Sequence, residues 1–111
     1  MNFQSVPYPE SLTPGVAALQ RLLTIAHGHS GQCRYVAGFL LGLYNGTRFK
    51  FDLTDFRCLD TAIFVDCLMV LQMDHTPARE VHSYFQNGGR IWEQLAVEWN
   101  IRDYTKEPAA C

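Results

Sequence analysis

The sequence predicts an all-α fold: one compact domain of about five helices, with a single short extended segment near residues 48–53. Three observations carry this. Apolar residues recur at three- and four-residue spacing along most of the chain. Thr-Pro pairs at 13–14 and 76–77 combine a capping hydroxyl with a proline suited to the first helical position. Glycine or asparagine at 28, 45–46 and 87–89 supplies the stops between them. At 111 residues and 48% hydrophobic content, the chain holds enough apolar material for one core.

In chain order, residues 1–12 read as a non-periodic arm that Phe3 or Tyr8 could pin to the surface. The helical domain spans 13–103. Its first helix begins at Thr13-Pro14, turns Val16, Leu19, Leu22, Leu23 and Ala26 inward, and ends at His27-Gly28, where glycine can take the left-handed cap. Ser30 caps a second helix over 31–44, with Val36, Phe39, Leu40, Leu43 and Tyr44 toward the core. Gly38 and Gly42 share one side of it and let a neighbouring helix or the extended segment approach closely.

The most patterned stretch is 49–74. Phe49, Phe51 and Leu53 alternate with Arg48, Lys50 and Asp52, a period of two. Asp52 or Thr54 can accept the free backbone N–H groups of the next helix's first turn. Phe56, Leu59, Ile63, Cys67, Val70 and Leu71 then form a helical stripe that Phe64 and Leu68 widen, broad enough to face a core. Asp60 breaks it. A buried, unpaired carboxylate costs several kcal/mol or takes up a proton. Asp60 therefore caps a second helix starting at Thr61, or pairs with an arginine such as Arg34, or serves as a catalytic carboxylate. Asp66, on the stripe's flank, reads as solvated or ion-paired.

A short helix is expected over 78–85, with Val81, Tyr84 and Phe85 inward, then a break at Asn87-Gly88-Gly89. The last helix, 90–99, carries Ile91, Trp92, Leu95, Ala96 and Trp99 on one side. Residues 104–111 read as a flexible tail. Trp92 and Trp99, on a helix expected to be peripheral, are the candidate interaction surface.

Composition weighs against several activities. A net charge of −2 gives no basic excess for phosphates. Residues 76–100 have the outline of a helix-turn-helix, but Glu93 and Glu98 on its second helix disfavour DNA. The N-terminus lacks a basic, apolar leader, and no apolar run approaches the ~20 residues that span a bilayer. Cys33, Cys58, Cys67 and Cys111 show no C-x-x-C spacing, which fits reduced thiols in a cytoplasm.

The histidines His27, His29, His75 and His82 do not fall at helical metal-ligand spacing, and capping or surface roles suit them better. No phosphate-binding or nucleophile-elbow motif is present, so no cofactor is expected. The best enzymatic thread is Cys33 at a helix N-terminus with His27 or His29 near in sequence.

The runs SGQCRYVAGFLLGLYNG and FDLTDFRCLDTAIFVDCLMVL resemble a family of small proteobacterial proteins of unknown function, over roughly residues 19–99. The resemblance implies a cytosolic accessory protein, often encoded on plasmids, integrative elements or prophages, and supplies no catalytic residues. Where many relatives carry paired tryptophans after the second helix, this chain has Gly42-Leu43-Tyr44. The expectation is a non-enzymatic interaction module, an adaptor or inhibitor, with a protein partner or a second copy of itself. The alternatives are an enzyme or metal-binding protein using Cys33, the histidines or the aspartates, and a nucleic-acid-associated protein.

Overall fold

The computed structural model describes residues 7–106. Four α-helices, α1 (Pro14–Ala26), α2 (Gly31–Tyr44), α3 (Thr61–His75) and α4 (Gly88–Glu98), are joined by 3-10 turns at Pro9–Ser11, Leu53–Cys58 and Val81–Tyr84. The all-α expectation holds. No helix among the described residues is long and apolar enough to cross a membrane.

A side-chain cap starts α1, whereas Ser30, expected to cap α2, makes no cap bond there. Thr13 Oγ1 accepts from the Val16 N–H at 3.2 Å, leaving Pro14 where its missing N–H costs nothing. From there α1 buries Val16, Ala18, Leu19, Leu22, Leu23 and Ala26. Gly28 does not take a left-handed conformation, as no described glycine does. It is small for another reason: a Cβ there would lie 2.7 Å from Cys33 Sγ.

The segment expected to be extended over 48–53 is not a strand: residues 46–48 turn, residues 49–52 carry no regular structure, and Leu53 opens a 3-10 turn. It crosses α2 on the glycine side, where a Cβ at Gly42 would come within 3.3 Å of the Phe51 Cβ. Asp52 Oδ1 then accepts from the Thr54 N–H at 2.9 Å and starts the 3-10 turn. Asp60 stands at the N-cap position of α3, so the helix begins afresh at Thr61. Its carboxylate does not cap: it accepts from Gln32 Nε2 at 3.0 Å, while the Asp60 N–H donates to Gln32 Oε1 at 2.6 Å. Being exposed, Asp60 escapes the desolvation cost that a continuous helix would have imposed.

Arg34 pairs with neither aspartate. Its Nη1 donates to the Trp99 carbonyl at 3.0 Å, while Asp66 takes Arg21 in a two-pronged contact at 2.8 and 3.0 Å. That pair clamps α3 to α1, where Met73 also packs against Gly15.

The helix expected over 78–85 shrinks to the turn Val81–Tyr84. The N-terminal segment runs beside it: Tyr8 N–H donates to the Tyr84 carbonyl at 3.0 Å and Pro7 bridges Phe85. Phe3 and Cys111 lie outside the described residues. Asn87, at φ 60°, turns the chain into α4, and Gly88 packs so tightly that a Cβ would overlap the His82 carbonyl. Asn100 ends α4 left-handed at φ 51°, with Ile101 N–H reaching back to the Ala96 carbonyl at 2.9 Å.

Arg48 closes the structure. Its guanidinium grips both oxygens of Glu93 and, at 2.8 Å, Asp103 Oδ2, and its carbonyl accepts from the Tyr104 N–H at 2.7 Å. Hydrogen bonds from Thr105, then from Arg48, hold the Asp103 carboxyl down to about 2. Arg48, then the Tyr44 hydroxyl, likewise lowers Glu93.

Two outcomes are expected in urea denaturation. Gly88→Ala loses about 3 kcal/mol, because backbone and not a flexible side chain stands in the way, whereas Gly31→Ala, with open space around it, is neutral or gains about 0.5 kcal/mol. Because the folded Asp103 pKa lies below its unfolded value of about 3.9, its contribution is complete above pH 4 and disappears as pH falls toward 2. Urea midpoints measured from pH 5 to 2 should therefore fall further for wild type than for Asp103→Asn.

Candidate interaction surface

Trp92 and Trp99, the residues expected on an interaction surface, lie against the core. Trp92 is fully buried, with its indole N–H donating to the Leu40 carbonyl at 3.0 Å, and Trp99 is half-buried, donating to the Ala26 carbonyl at 2.8 Å. Both indoles join α4 to the α1–α2 pair. A tryptophan that buries its rings and satisfies its N–H on a backbone carbonyl serves the core.

The open apolar surface belongs to α3. Of its fifteen residues only Cys67 and Val70 are buried. Its neighbour is α1, and that contact uses one side of a helix that is apolar nearly all round. Phe64, Leu68 and Leu71, at i, i+4 and i+7, share the other side with Val65 beside them. Leu68 is 46% exposed, Val65 45% and Leu71 37%. The stripe expected to face the core therefore opens to solvent at Leu68 and Leu71, while Phe64 lies half-buried against Phe56. No charged side chain lies between Asp66 and Asp74, and Asp66 is held on the flank by Arg21.

At Leu71 this face runs into a groove of about 360 Å³ between α2 and the 3-10 turn Leu53–Cys58. Phe39, Phe51 and Phe56 line it, their rings meeting pairwise at 4.9 to 5.7 Å, and Phe56 meets Phe64 of α3 at 5.3 Å. Leu53, 74% exposed, stands on its rim. The ring cluster makes the wall rigid, and the edge-to-face geometry is the favoured one.

On the other side of Lys50 and Phe51, which line both, is a smaller pocket of about 210 Å³. Arg34, Lys50 and Arg102 surround it with Tyr35 and Tyr104, against the single carboxylate of Asp55. None of the three cations is within ion-pair distance of a described carboxylate. Arg102 instead lies over the Tyr104 ring at 4.3 Å, and Lys50 Nζ donates to the Gly46 carbonyl at 2.7 Å.

The residues weighed for chemistry are dispersed. Cys33 is buried, and its sulfur meets Ser30 Oγ at 3.1 Å. Cys67 is buried too, and desolvation pushes its thiol up to about 12. His27 Nδ1 faces Glu98 at 3.7 Å, His75 Nδ1 meets Thr76, and His82 stands edge-on to the Tyr44 ring. Among the described residues, no three His, Cys, Asp or Glu side chains converge as a metal-ligand set. The helix-turn-helix outline lacks its first helix, since Val81–Tyr84 is one 3-10 turn.

Comparison with known sequences bears on identity. A family model described as "Family of unknown function (DUF7673)" matches residues 16–100, which takes in all four helices except the first two residues of α1. The chain belongs to that family. No curated protein and no solved structure matches. The matched span holds both the α3 face and the apolar groove, and Arg102 and Tyr104 of the cationic pocket lie just beyond it.

Burial orders the thiols. With iodoacetamide at pH 8, exposed Cys58 should be alkylated well before Cys33 and Cys67, which react only as the fold opens; peptide mass spectrometry reads the order. Early alkylation at Cys33 would reopen the nucleophile reading.

Proposed function

We propose that this member of the family is a non-enzymatic interaction module that docks a partner protein on the outer face of α3 and the adjoining aromatic groove. One observation carries the reading. An apolar helix with only two buried residues, Cys67 and Val70, presents a continuous uncharged surface to solvent. A helix hydrophobic all round is ordinarily buried on all sides, and exposed apolar patches of this kind mark interaction sites. Catalysis by contrast needs convergent polar groups of perturbed acidity in a cleft; of the shifted carboxyls, Glu93 and Asp103 are held by Arg48, Asp52 accepts from Thr54 in the 3-10 turn, and Asp74 is raised by burial and by Glu80.

The unbridged thiols Cys33, Cys58 and Cys67 support a reducing compartment, and the resemblance to bacterial accessory proteins, often carried on mobile elements, supports a role as adaptor or inhibitor in a bacterial cytoplasm.

The test is substitution on the open face. Leu68→Glu should leave the urea midpoint within about 1 kcal/mol of wild type, since the side chain is half in water. It should also weaken a reconstituted complex, made from a purified protein first captured by the wild-type chain, at least tenfold by calorimetry. Full retention of affinity in Leu68→Glu and Val65→Glu would remove the proposal.

A further inference from the structure

We propose that the groove's occupant is a peptide segment of a partner protein in which an apolar side chain is followed within two or three residues by a carboxylate. The inference rests on the docking role proposed above and specifies the partner's chemistry. The apolar groove and the cationic pocket are not separate features, because Lys50 and Phe51 form the wall between them. An extended peptide advances about 3.3 Å per residue, so neighbouring side chains of one segment reach both sides of that wall.

Charge decides the second half of the segment. The whole chain carries nine Lys and Arg against eleven Asp and Glu, yet this pocket gathers three of the nine around one carboxylate. Elsewhere Arg21 pairs with Asp66, and Arg48 with Glu93 and Asp103. Arg34 spends one donor on the Trp99 carbonyl and keeps the rest of its fork, while Lys50 has donors beyond the one on Gly46. At about 210 Å³ the pocket is smaller than the ~300–1,000 Å³ of sites that enclose a whole small molecule. It suits the end of one side chain. A carboxylate fits the open donors, and the Tyr35 ring can flank the methylenes that carry it.

The groove supplies the other half. Phe39, Phe51 and Phe56 offer no polar side-chain atom, and Leu53 and Leu71 close the rim. An apolar side chain there is desolvated beside, but not within, the charged pocket. Attraction at short range then sets the register of the segment.

Selection of a random displayed heptapeptide library on the immobilised full chain tests this. Enriched peptides should pair an apolar residue with Asp or Glu two or three positions on. A representative synthetic peptide should bind Lys50→Glu/Arg102→Glu at least tenfold more weakly, and wild type several-fold more weakly in 0.5 M than in 0.1 M NaCl. Circular dichroism melts confirm that the double variant folds, and the salt series reads the same contacts in unmodified protein. Enrichment of purely apolar peptides, indifferent to salt and to the double variant but lost on Leu53→Asp, overturns the acidic partner and leaves the docking role standing. Enrichment of peptides whose binding neither Leu53→Asp nor Leu68→Glu affects, or no enrichment at all, overturns both. Concentration-dependent dimerisation in sedimentation equilibrium, abolished by Leu53→Asp, would make a second copy the occupant and overturn the peptide.

Discussion

Two indole N–H groups decide how this chain is put together. Trp92 donates to the Leu40 carbonyl inside α2, and Trp99 to the Ala26 carbonyl at the end of α1. Each bond satisfies a donor that would otherwise be costly to bury, and each places α4 across the α1–α2 hairpin with its apolar side inward. Trp92, among the largest fully buried side chains, fills the space between Phe85, Tyr44 and α2. α3 packs chiefly on α1, and its Phe64 meets Phe56 of the 3-10 turn, which leaves Val65, Leu68 and Leu71 open to solvent.

The polar contacts hold the edges of this arrangement. Arg48 ties the turn after α2 to α4 and to the segment beyond it, and Arg21 with Asp66 fixes the azimuth of α3 against α1. Exposed pairs such as Arg21–Asp66 contribute little stability, ~1 kcal/mol or less, but they do select one orientation. For α3 orientation matters, because nearly any rotation would bury some apolar side chains. Rotated to hide Leu68, the helix would expose Val70 and Cys67 instead. The carboxylate at 66 breaks that near-degeneracy.

Helix boundaries are legible because caps and breakers act within a few residues. Thr13-Pro14, Asp52 and Asn45 do what local chemistry expects of them, and Asp60 does mark the start of a second helix, whereas Gly88 and Gly89, expected to break the chain before residue 90, form the first turn of α4. Partnership is not legible in the same way. Arg34, expected to meet an aspartate, turns instead to a carbonyl at Trp99; Asp60 finds Gln32; Arg48, with no expected role beyond the alternation, holds two carboxylates. The proposed docking face differs from the expected one for the same reason. Trp92 and Trp99 stand out by residue type, while Phe64 and Leu68 have the spacing of ordinary core.

The sequence alone determined the four α-helices and most of their ends, though not the turn that stands where a helix was expected over 78–85, and that the chain holds one apolar core, since periodicity and capping are properties of residues close in sequence. It also carried an excess of apolar residues in 61–73 without saying which side of them would be covered. Only the tertiary structure decided that. Burial is a property of what arrives from far along the chain: α4, anchored by its two indoles, packs on α2, α1 packs on one side of α3, and the outer side of α3 stays exposed. The neighbouring cationic pocket arises in the same way: Arg34, Lys50 and Arg102 are remote in sequence and meet only because the chain after α4 folds back past α2.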